Sequence, residues 1–442
     1  MSNLANVTID GTKVSVPKGT LLVEAARQAG IEIPVFCYHP KLKPVGACRM
    51  CLVEIEKMPR LQTACTTPVA DGMVVRTKAP AAVEGQQAVL ELLLANHPLD
   101  CPVCDKGGEC PLQDNTFKYG TGASVMHEDK RAKDKAFPLS ERIVLDKERC
   151  ILCYRCTRFQ NEVVGDEAIV PLDRGGDSEI GTPNGEPFES PFSGNTVEMC
   201  PVGALTARTY RFRARPWDLQ HTPSVCSGCS VGCNVTLDSR DGAVLRVMSR
   251  DNRSIDDGWL CDRGRYETMP PVTAPGQVAR DEAHRRRTLQ PYVRQGGQLL
   301  PAAWPQALAR AAQLLGDRGA ALVGGTLGNE AVQALVEQLA PRLSGNVACT
   351  DDVATAWPVQ GRIANLPQCR RIVLLGLDPW TELPVLALWL RKATTAGAAL
   401  VVVGSKNGSW RDTRSWLRTD APIAMAQQLL AALDGGTASE DV

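Results

Sequence analysis

Seventeen cysteines stand in 442 residues, and fifteen of them fall into four groups whose spacing suits metal ligation. The first group is Cys37, Cys48, Cys51 and Cys65 in PVFCYHPKLKPVGACRMCLVEIEKMPRLQTAC, with ten, two and thirteen residues between neighbours. Four thiolates on such a loop can hold a two-iron cluster, although the spacing differs from the plant-type C-x4-C-x2-C run. Zinc is the rival, because the central Cys48-x2-Cys51 pair suits either metal. The second group, in NHPLDCPVCDKGGEC, offers only Cys101, Cys104 and Cys110. A cubane or a tetrahedral site takes four ligands, and His97, four positions ahead of Cys101, is the candidate for the fourth. The third group is Cys150, Cys153 and Cys156 in KERCILCYRCTRF, followed downstream by Cys200 in VEMCPVGAL. Bacterial ferredoxins take the fourth ligand of a C-x2-C-x2-C run from a distant Cys-Pro. Here the reciprocal cysteines are absent and position 160 is Gln160, so one four-iron cluster is expected. The fourth group is Cys226, Cys229 and Cys233 in SVCSGCSVGCNVTL, closed by Cys261 in GWLCDRGRY, a spacing that zinc ribbons also use. Cys349 and Cys369 lie outside every motif and read as small buried hydrophobes.

Each group needs elements to position it. VTIDGTKVSV reads as a hairpin and LLVEAARQAG as a helix, a small sheet able to present the first loop. Around the second group Pro98, Pro102, Gly107, Gly108 and Pro111 turn the backbone repeatedly, so that amides can point inward at cluster sulfides. In the fourth group Asn234 to Leu237 and Ala243 to Met248 alternate as strands around Asp241-Gly242, a hairpin that returns Cys261 to its triplet. Beyond residue 273 the apolar runs Ala320 to Gly324, Arg371 to Gly376 and Ala399 to Gly404 read as buried strands. Asn329 to Leu343 and Leu383 to Ala396 lie between them with helical spacing, which predicts a parallel sheet. The loop GGTLGNE, Gly324 to Glu330, lacks GxGxxG or a P-loop lysine and reads as structural.

Length, charge and hydropathy limit the function classes. A chain of this length holds about three domains. The opening MSNLANVTIDGTKVSV lacks the basic and apolar regions of a signal peptide. The longest apolar runs, such as Ala398 to Val403, fall far short of the ~20 residues that span a bilayer. The expected setting is therefore a reducing compartment, where excess cysteine means metal or redox chemistry. Zero formal net charge removes any global argument for nucleic acid or an anionic membrane. The basic clusters Arg208 to Arg215 and Arg285 to Arg287 read as docking or solvated surface, since no nucleic-acid module surrounds them. His39, His127, His221 and His284 have no comparable ligand neighbourhood.

Taken in order, the four motifs closely resemble the G subunit, an iron–sulfur subunit, of bacterial NADH-quinone oxidoreductase, respiratory complex I, over the first 270 residues. The resemblance implies a multidomain α/β and α+β chain. Its parts would be a ferredoxin-like 2Fe-2S domain at 1–80, a 4Fe-4S segment with one histidine and three cysteine ligands at 81–120, and a 4Fe-4S ferredoxin-like domain at 140–215. A molybdopterin-oxidoreductase-type 4Fe-4S module at 219–272 and an abridged molybdopterin-oxidoreductase-like α/β domain at 273–442 would follow. It implies one 2Fe-2S cluster on Cys37, Cys48, Cys51 and Cys65. Three 4Fe-4S clusters would sit on His97, Cys101, Cys104 and Cys110; on Cys150, Cys153, Cys156 and Cys200; and on Cys226, Cys229, Cys233 and Cys261. The family uses the histidine as the fourth ligand of its set. The Cys226 set is similar to the cluster that opens molybdopterin oxidoreductases and would lie off the main electron path. Those enzymes carry a lysine two positions after the last cysteine; Arg263 stands there, so no molybdopterin is expected.

The implied function is outer-sphere electron transfer from an NADH/flavin subunit toward a quinone-reducing module, with no hydride or quinone site in this chain. The implied partners are the flavin/NADH-binding subunit and the quinone-module and ferredoxin-like subunits. The implied location is the peripheral arm on the cytoplasmic face of the bacterial inner membrane, touching the membrane only through the complex. Two alternatives stay open: the diaphorase-side subunit of a NAD-linked hydrogenase or formate dehydrogenase, and a zinc-stabilised binding scaffold.

Overall fold

The computed structural model describes residues 3–124, 126–269, 290–315, 321–323, 333–339, 341, 347–349, 361–404 and 415–418. The chain divides into two compact units, Met1–Gln220 and His221–Val442.

In the first unit, alternation in β1 (Leu4–Ile9) buries Ala5, Val7 and Ile9. Asp10 and Gly11 both take positive φ, 45° and 82°, the type I′ turn whose twist matches a right-handed hairpin. That turn joins β1 to antiparallel β2 (Thr12–Pro17). α1 (Leu22–Gln28) lays Leu22, Val23, Ala25 and Ala26 into the core. With β3 (Leu52–Ile55), β4 (Gln62–Thr63) and β5 (Met73–Arg76) the sheet order is β2-β1-β5-β3-β4. Cys51 and Cys65 belong to the hydrophobic core of this layer. The first ligand loop is thus anchored to sheet packing at two of its four thiols.

α2 (Pro80–Ala95) starts with proline in its first turn, where a missing N–H costs nothing. It lies close on β3: Gln86 Nε2 donates to the Leu52 carbonyl at 3.1 Å, and a Cβ on Gly85 would stand 2.9 Å from Leu52 Cδ1. Lys130 Nζ closes the C-terminal end by donating to the carbonyls of Leu94 and Ala95 at 2.8 and 2.9 Å, where a cation suits the helix dipole. α3 (Pro111–Tyr119) follows. β6 (Phe137–Pro138), β7 (Ile143–Leu145), α4 (Arg155–Arg158), the hairpin β8 (Val170–Leu172) and β9 (Glu179–Gly181), α5 (Ser193–Met199) and β10 (Leu205–Ala207) complete the unit. The order β10-β7-β6 brings the Cys150 and Cys200 segments together.

In the second unit β11 (Gln220–Val225), β12 (Asn234–Arg240) and β13 (Ala243–Ser249) form one sheet in sequence order. Asp241 and Gly242 make the expected turn, with φ of 53° and 76°. Farther on, Ala321–Val323 pairs in parallel with Val347–Cys349, and Arg371–Leu375, Ala399–Gly404 and Ser415–Arg418 form a second parallel set. The helix Pro384–Thr395 packs there through Leu390 and Ala393 against Ile372, Leu374, Leu400 and Val402. Parallel pairing is present as expected, but in two separate sheets: the first apolar run pairs with Val347–Cys349, and only the other two runs are neighbours. Of Asn329 to Leu343 only residues 333–339 and 341 are described; Gly324 to Glu330, His284 and Arg285 to Arg287 lie outside the described residues. Cys369 corrects an expectation: it is exposed, not buried. It follows a short 3-10 turn, Ile363–Gln368, and its thiol reaches back 3.7 Å to the Asn365 carbonyl instead of entering the sheet. Among the described residues no helix is long and apolar enough to cross a membrane.

Candidate metal centres

The first thiol set is built on opposed amides. Cys37 N–H donates to Cys48 Sγ at 3.4 Å, and Cys48 N–H donates back to Cys37 Sγ at 3.5 Å. Cys37, Cys51 and Cys65 are buried, so charge on them needs a compensating cation close by. Iron would supply that charge, as ligand thiols are deprotonated when a metal binds. His39, unassigned by the sequence, is held down to about 4 by burial and by the charges of Arg155, Lys41 and Arg158. It is a neutral ring within this loop, its Nδ1 accepting from Lys41 N–H at 3.3 Å.

The second set lines one cavity of about 240 Å³, with His97, Cys101, Cys104 and Cys110 all on its wall. α2 delivers His97 just beyond its C-terminus, where His97 N–H donates to the Leu94 carbonyl at 3.2 Å. Cys110 is the N-cap residue of α3. Between them, Gly108 N–H donates to Gln113 Oε1 at 3.1 Å, and Arg215 clamps the loop through the carbonyls of Cys104, at 2.7 Å, and Pro102. Gly108 has φ of 93° and backs onto Trp217, leaving no room for a side chain. Arg215, part of the basic cluster read as surface, therefore directs its guanidinium to backbone carbonyls of this loop. Burial, with Lys130 and Arg149 nearby, lowers His97 to about 4, which leaves the imidazole neutral, the form that binds metal. Burial also raises Cys104 and Cys110. Among the described residues no three His, Cys, Asp or Glu donors converge on the position of a single ion; the space beside His97 accommodates a group of several atoms.

The third set, Cys150, Cys153, Cys156 and Cys200, shares a cavity wall with Val202 and Ala204. Leu152 and Tyr154 take positive φ of 51° and 57°, strain for residues with side chains that wraps the loop around a common centre. Burial pushes Cys150 and Cys153 up to about 12, so here too thiolates call for a metal's charge. Gln160 is fully buried and its Oε1 accepts from Ser190 at 3.1 Å. Its Nε2 is buried with no hydrogen-bond partner among the described residues.

These three sets share their shells. From α4, Arg155 Nη2 donates to the Tyr38 carbonyl at 2.6 Å and its Nη1 to the Met199 carbonyl at 3.3 Å, while Arg158 donates to the carbonyls of Cys37 and, at 2.6 Å, Lys43. On the other side, Cys110 Sγ lies 3.7 Å from the Pro201 carbonyl, and Gly203 stands so close to Cys104 Sγ that a Cβ there would overlap it. The Cys200–Gly203 turn thus carries a thiol of the third set and walls the second. Arg155 and Arg158 lie in the Cys150 motif stretch and Gly203 in the Cys200 stretch, but no spacing rule marks these residues as bridges between sets.

In the second unit Cys226 N–H donates to the Cys233 carbonyl at 2.8 Å, and Gly228 N–H to Cys226 Sγ at 3.4 Å. A Cβ on Gly264 would lie 2.8 Å from Cys226 Sγ, so Cys261 and the following turn approach the triplet through a glycine. Burial raises Cys226 and takes Cys261 up to about 11. Arg263 donates to the carbonyls of Thr381, at 3.2 Å, and Glu382, and Trp389 Nε1 donates to the Ile255 carbonyl at 2.8 Å. Those bonds fasten the module to the parallel-sheet domain. His221 Nδ1 meets Asp238 Oδ1 at 2.6 Å, and Arg246 Nε donates to Oδ2 of the same carboxylate at 2.6 Å.

Comparison with known proteins follows the same order along the chain. Residues 2–80 match a 2Fe-2S iron-sulfur cluster binding domain, and residues 86–124 an NADH-ubiquinone oxidoreductase-G iron-sulfur binding region. Residues 140–206 match the ferredoxin-like domain of NADH-quinone oxidoreductase subunit 3. Residues 219–268 match a molybdopterin oxidoreductase Fe4S4 domain and residues 287–436 molybdopterin oxidoreductase. The G subunit of NADH-quinone oxidoreductase from Streptomyces coelicolor is 50% identical over 74% of this chain and 38% of its own length. The corresponding Mycobacterium bovis protein is 43% identical over 88% of this chain and 50% of its own. The mitochondrial 78 kDa subunit of Neurospora crassa NADH-ubiquinone oxidoreductase is 39% identical over 96% and 55%. The chain spans about half the length of these curated relatives. A chain in the structure of NAD+-reducing [NiFe]-hydrogenase in the H2-reduced state is 32% identical, over 48% of this chain and 90% of that one, with a TM-score of 0.43. By domain order and by these relatives, the chain belongs to the family of NADH-quinone oxidoreductase G subunits.

Proposed function

We propose that this chain is an iron–sulfur electron-transfer subunit that passes electrons from an NADH/flavin subunit toward the quinone-reducing module of respiratory complex I. The clusters, when bound, supply one-electron carriers; the chain's own residues hold them, keep water away and set their spacing. One 2Fe-2S cluster would sit on Cys37, Cys48, Cys51 and Cys65. The 4Fe-4S clusters would take His97, Cys101, Cys104 and Cys110; Cys150, Cys153, Cys156 and Cys200; and Cys226, Cys229, Cys233 and Cys261. The observation that carries this reading is the sharing of shells. α4 ties the Cys150 set to the Cys37 loop, and the Cys200–Gly203 turn ties it to the His97 set. A relay needs such contact between neighbouring sites, whereas independent structural metals do not. The domain order favours complex I over the hydrogenase or formate dehydrogenase reading, and the iron–sulfur family matches favour both over a zinc scaffold.

Leu99, Val103 and Phe117 are exposed beside exposed Cys101, apolar surface that a ferredoxin-like or quinone-module partner would cover. We assign the chain to the peripheral arm, on the cytoplasmic face of the inner membrane, without a molybdopterin. The test is anaerobic purification with the neighbouring subunits. About fourteen irons per chain are expected from one two-iron and three four-iron clusters, with flavin and quinone-module subunits co-purifying. Stoichiometric zinc with little acid-labile sulfide would sink the proposal.

A further inference from the structure

We propose that Arg149 is a positioning residue of the His97 site: its Nη1–H donates to a sulfur of the cluster there, and its fixed charge raises that cluster's reduction potential. The inference rests on the reading of His97, Cys101, Cys104 and Cys110 as cluster ligands. Only 5% of the Arg149 side chain is exposed. Its Nε and Nη2 donate to Asp100 Oδ2 at 3.0 and 2.8 Å, and Nε lies 3.3 Å from Asp146 Oδ2. A guanidinium is a rigid planar fork, so this edge is committed and Nη1 faces the other way. Nη1 is buried and has no hydrogen-bond partner among the described residues. Leaving a buried donor unmatched costs about 1–3 kcal/mol, more when it is charged, so such a group implies an acceptor that is filled in the working protein.

The acceptor can be named from the surroundings. Arg149 lines the same cavity as His97, Cys101, Cys104 and Cys110, together with apolar walls from Leu94, Leu112 and Phe117. Thiolate and sulfide sulfur are the acceptors such a cavity would gain on cluster binding. Hydrogen bonds to cluster sulfurs and nearby positive charge both favour the reduced, more negative state. Asp100 and Asp146 orient the fork, and the backbone of Arg149 leads directly into Cys150. One side chain therefore links the ligand loop of the third set to the cluster of the second.

The test is an EPR-monitored redox titration of the intact complex, comparing parent, Arg149→Gln and Arg149→Lys. At the poise where the parent His97-site signal is half reduced, Arg149→Gln is expected to lower the reduced-to-oxidised ratio about tenfold, a shift of about 59 mV for a one-electron couple. Arg149→Lys keeps the charge and loses the fork, so its shift should be smaller and in the same direction, with an altered line shape. The two-iron signal serves as the internal control and should not move. A His97-site signal that titrates in Arg149→Gln as in the parent overturns the inference. If Arg149→Gln does not assemble, Arg149→Lys decides: an unchanged potential and line shape overturn the inference equally. A parent complex with no four-iron signal that depends on His97 overturns the underlying ligand assignment instead.

Discussion

Gly203 offers a direct test of the shared shell. A Cβ added there would approach Cys104 Sγ to well under 3.0 Å, with Lys106 Cβ 3.4 Å away on the same side. Comfortable non-bonded contact is about 3.5–4.0 Å, so Gly203→Ala requires a movement of more than about 1 Å. Cys104 cannot yield freely, because Arg215 holds its carbonyl at 2.7 Å and a bound cluster would hold its sulfur. Gly203 is not among the positive-φ residues, so alanine adds no backbone strain and would otherwise stabilise by about 0.4–1 kcal/mol through the unfolded chain. Overpacking of this kind costs about 1–3 kcal/mol, roughly a 5- to 150-fold fall in the occupied-to-empty ratio of the site. The expected result is selective: iron falls from about fourteen to about ten per chain, the His97-site EPR signal is lost and the two-iron signal remains. Gly361→Ala is the control, since no atom of the described residues lies within 4 Å of a Cβ there, and it should keep the full complement. If Gly203→Ala retains all its iron and an unaltered His97-site spectrum, the Cys200–Gly203 turn does not wall the second cluster and the argument from shared shells collapses.

Two further outcomes are expected. His97→Ala should suppress NADH-to-quinone turnover while flavin-side reduction of an artificial acceptor continues, whereas Cys229→Ala should reduce assembly yet leave most turnover per intact complex; equal, near-total losses in both would put the Cys226 set on the main path. His39, lowered from 6.5 to about 4 by burial and by Arg155, Lys41 and Arg158, should make acid unfolding steeper. The unfolded chain takes up a proton that the folded chain refuses, so this part of the stability is complete above about 6.5 and falls as pH drops toward 4, by up to about 3 kcal/mol. His39→Gln should flatten the denaturation midpoint against pH across that window, and an unchanged slope would refute the assignment.

The sequence by itself determined the donor inventory and the elements nearest to it. Four groups of candidate donors were legible because most thiols of each group sit in one short stretch, and the hairpins around Asp10-Gly11 and Asp241-Gly242 were legible because left-handed turn residues flanked by alternating strands leave few alternatives. The parallel strands near residues 371 and 399 followed from short apolar runs separated by a helical period. Cys369 was misread because composition reports how often a cysteine is buried, while exposure depends on where one turn ends. Only the tertiary structure decided which residues serve two sites at once. Arg149 to Asp100, Arg158 to Cys37, Arg215 to Cys104 and Gly203 to Cys104 join positions about 50 to 120 residues apart. No spacing rule reaches that far, because such contacts are selected by how helices and sheets pack rather than by the periodicity of any one of them. The candidate donors are therefore read from short segments, whereas the surroundings that would hold and tune a cluster are assembled from distant ones.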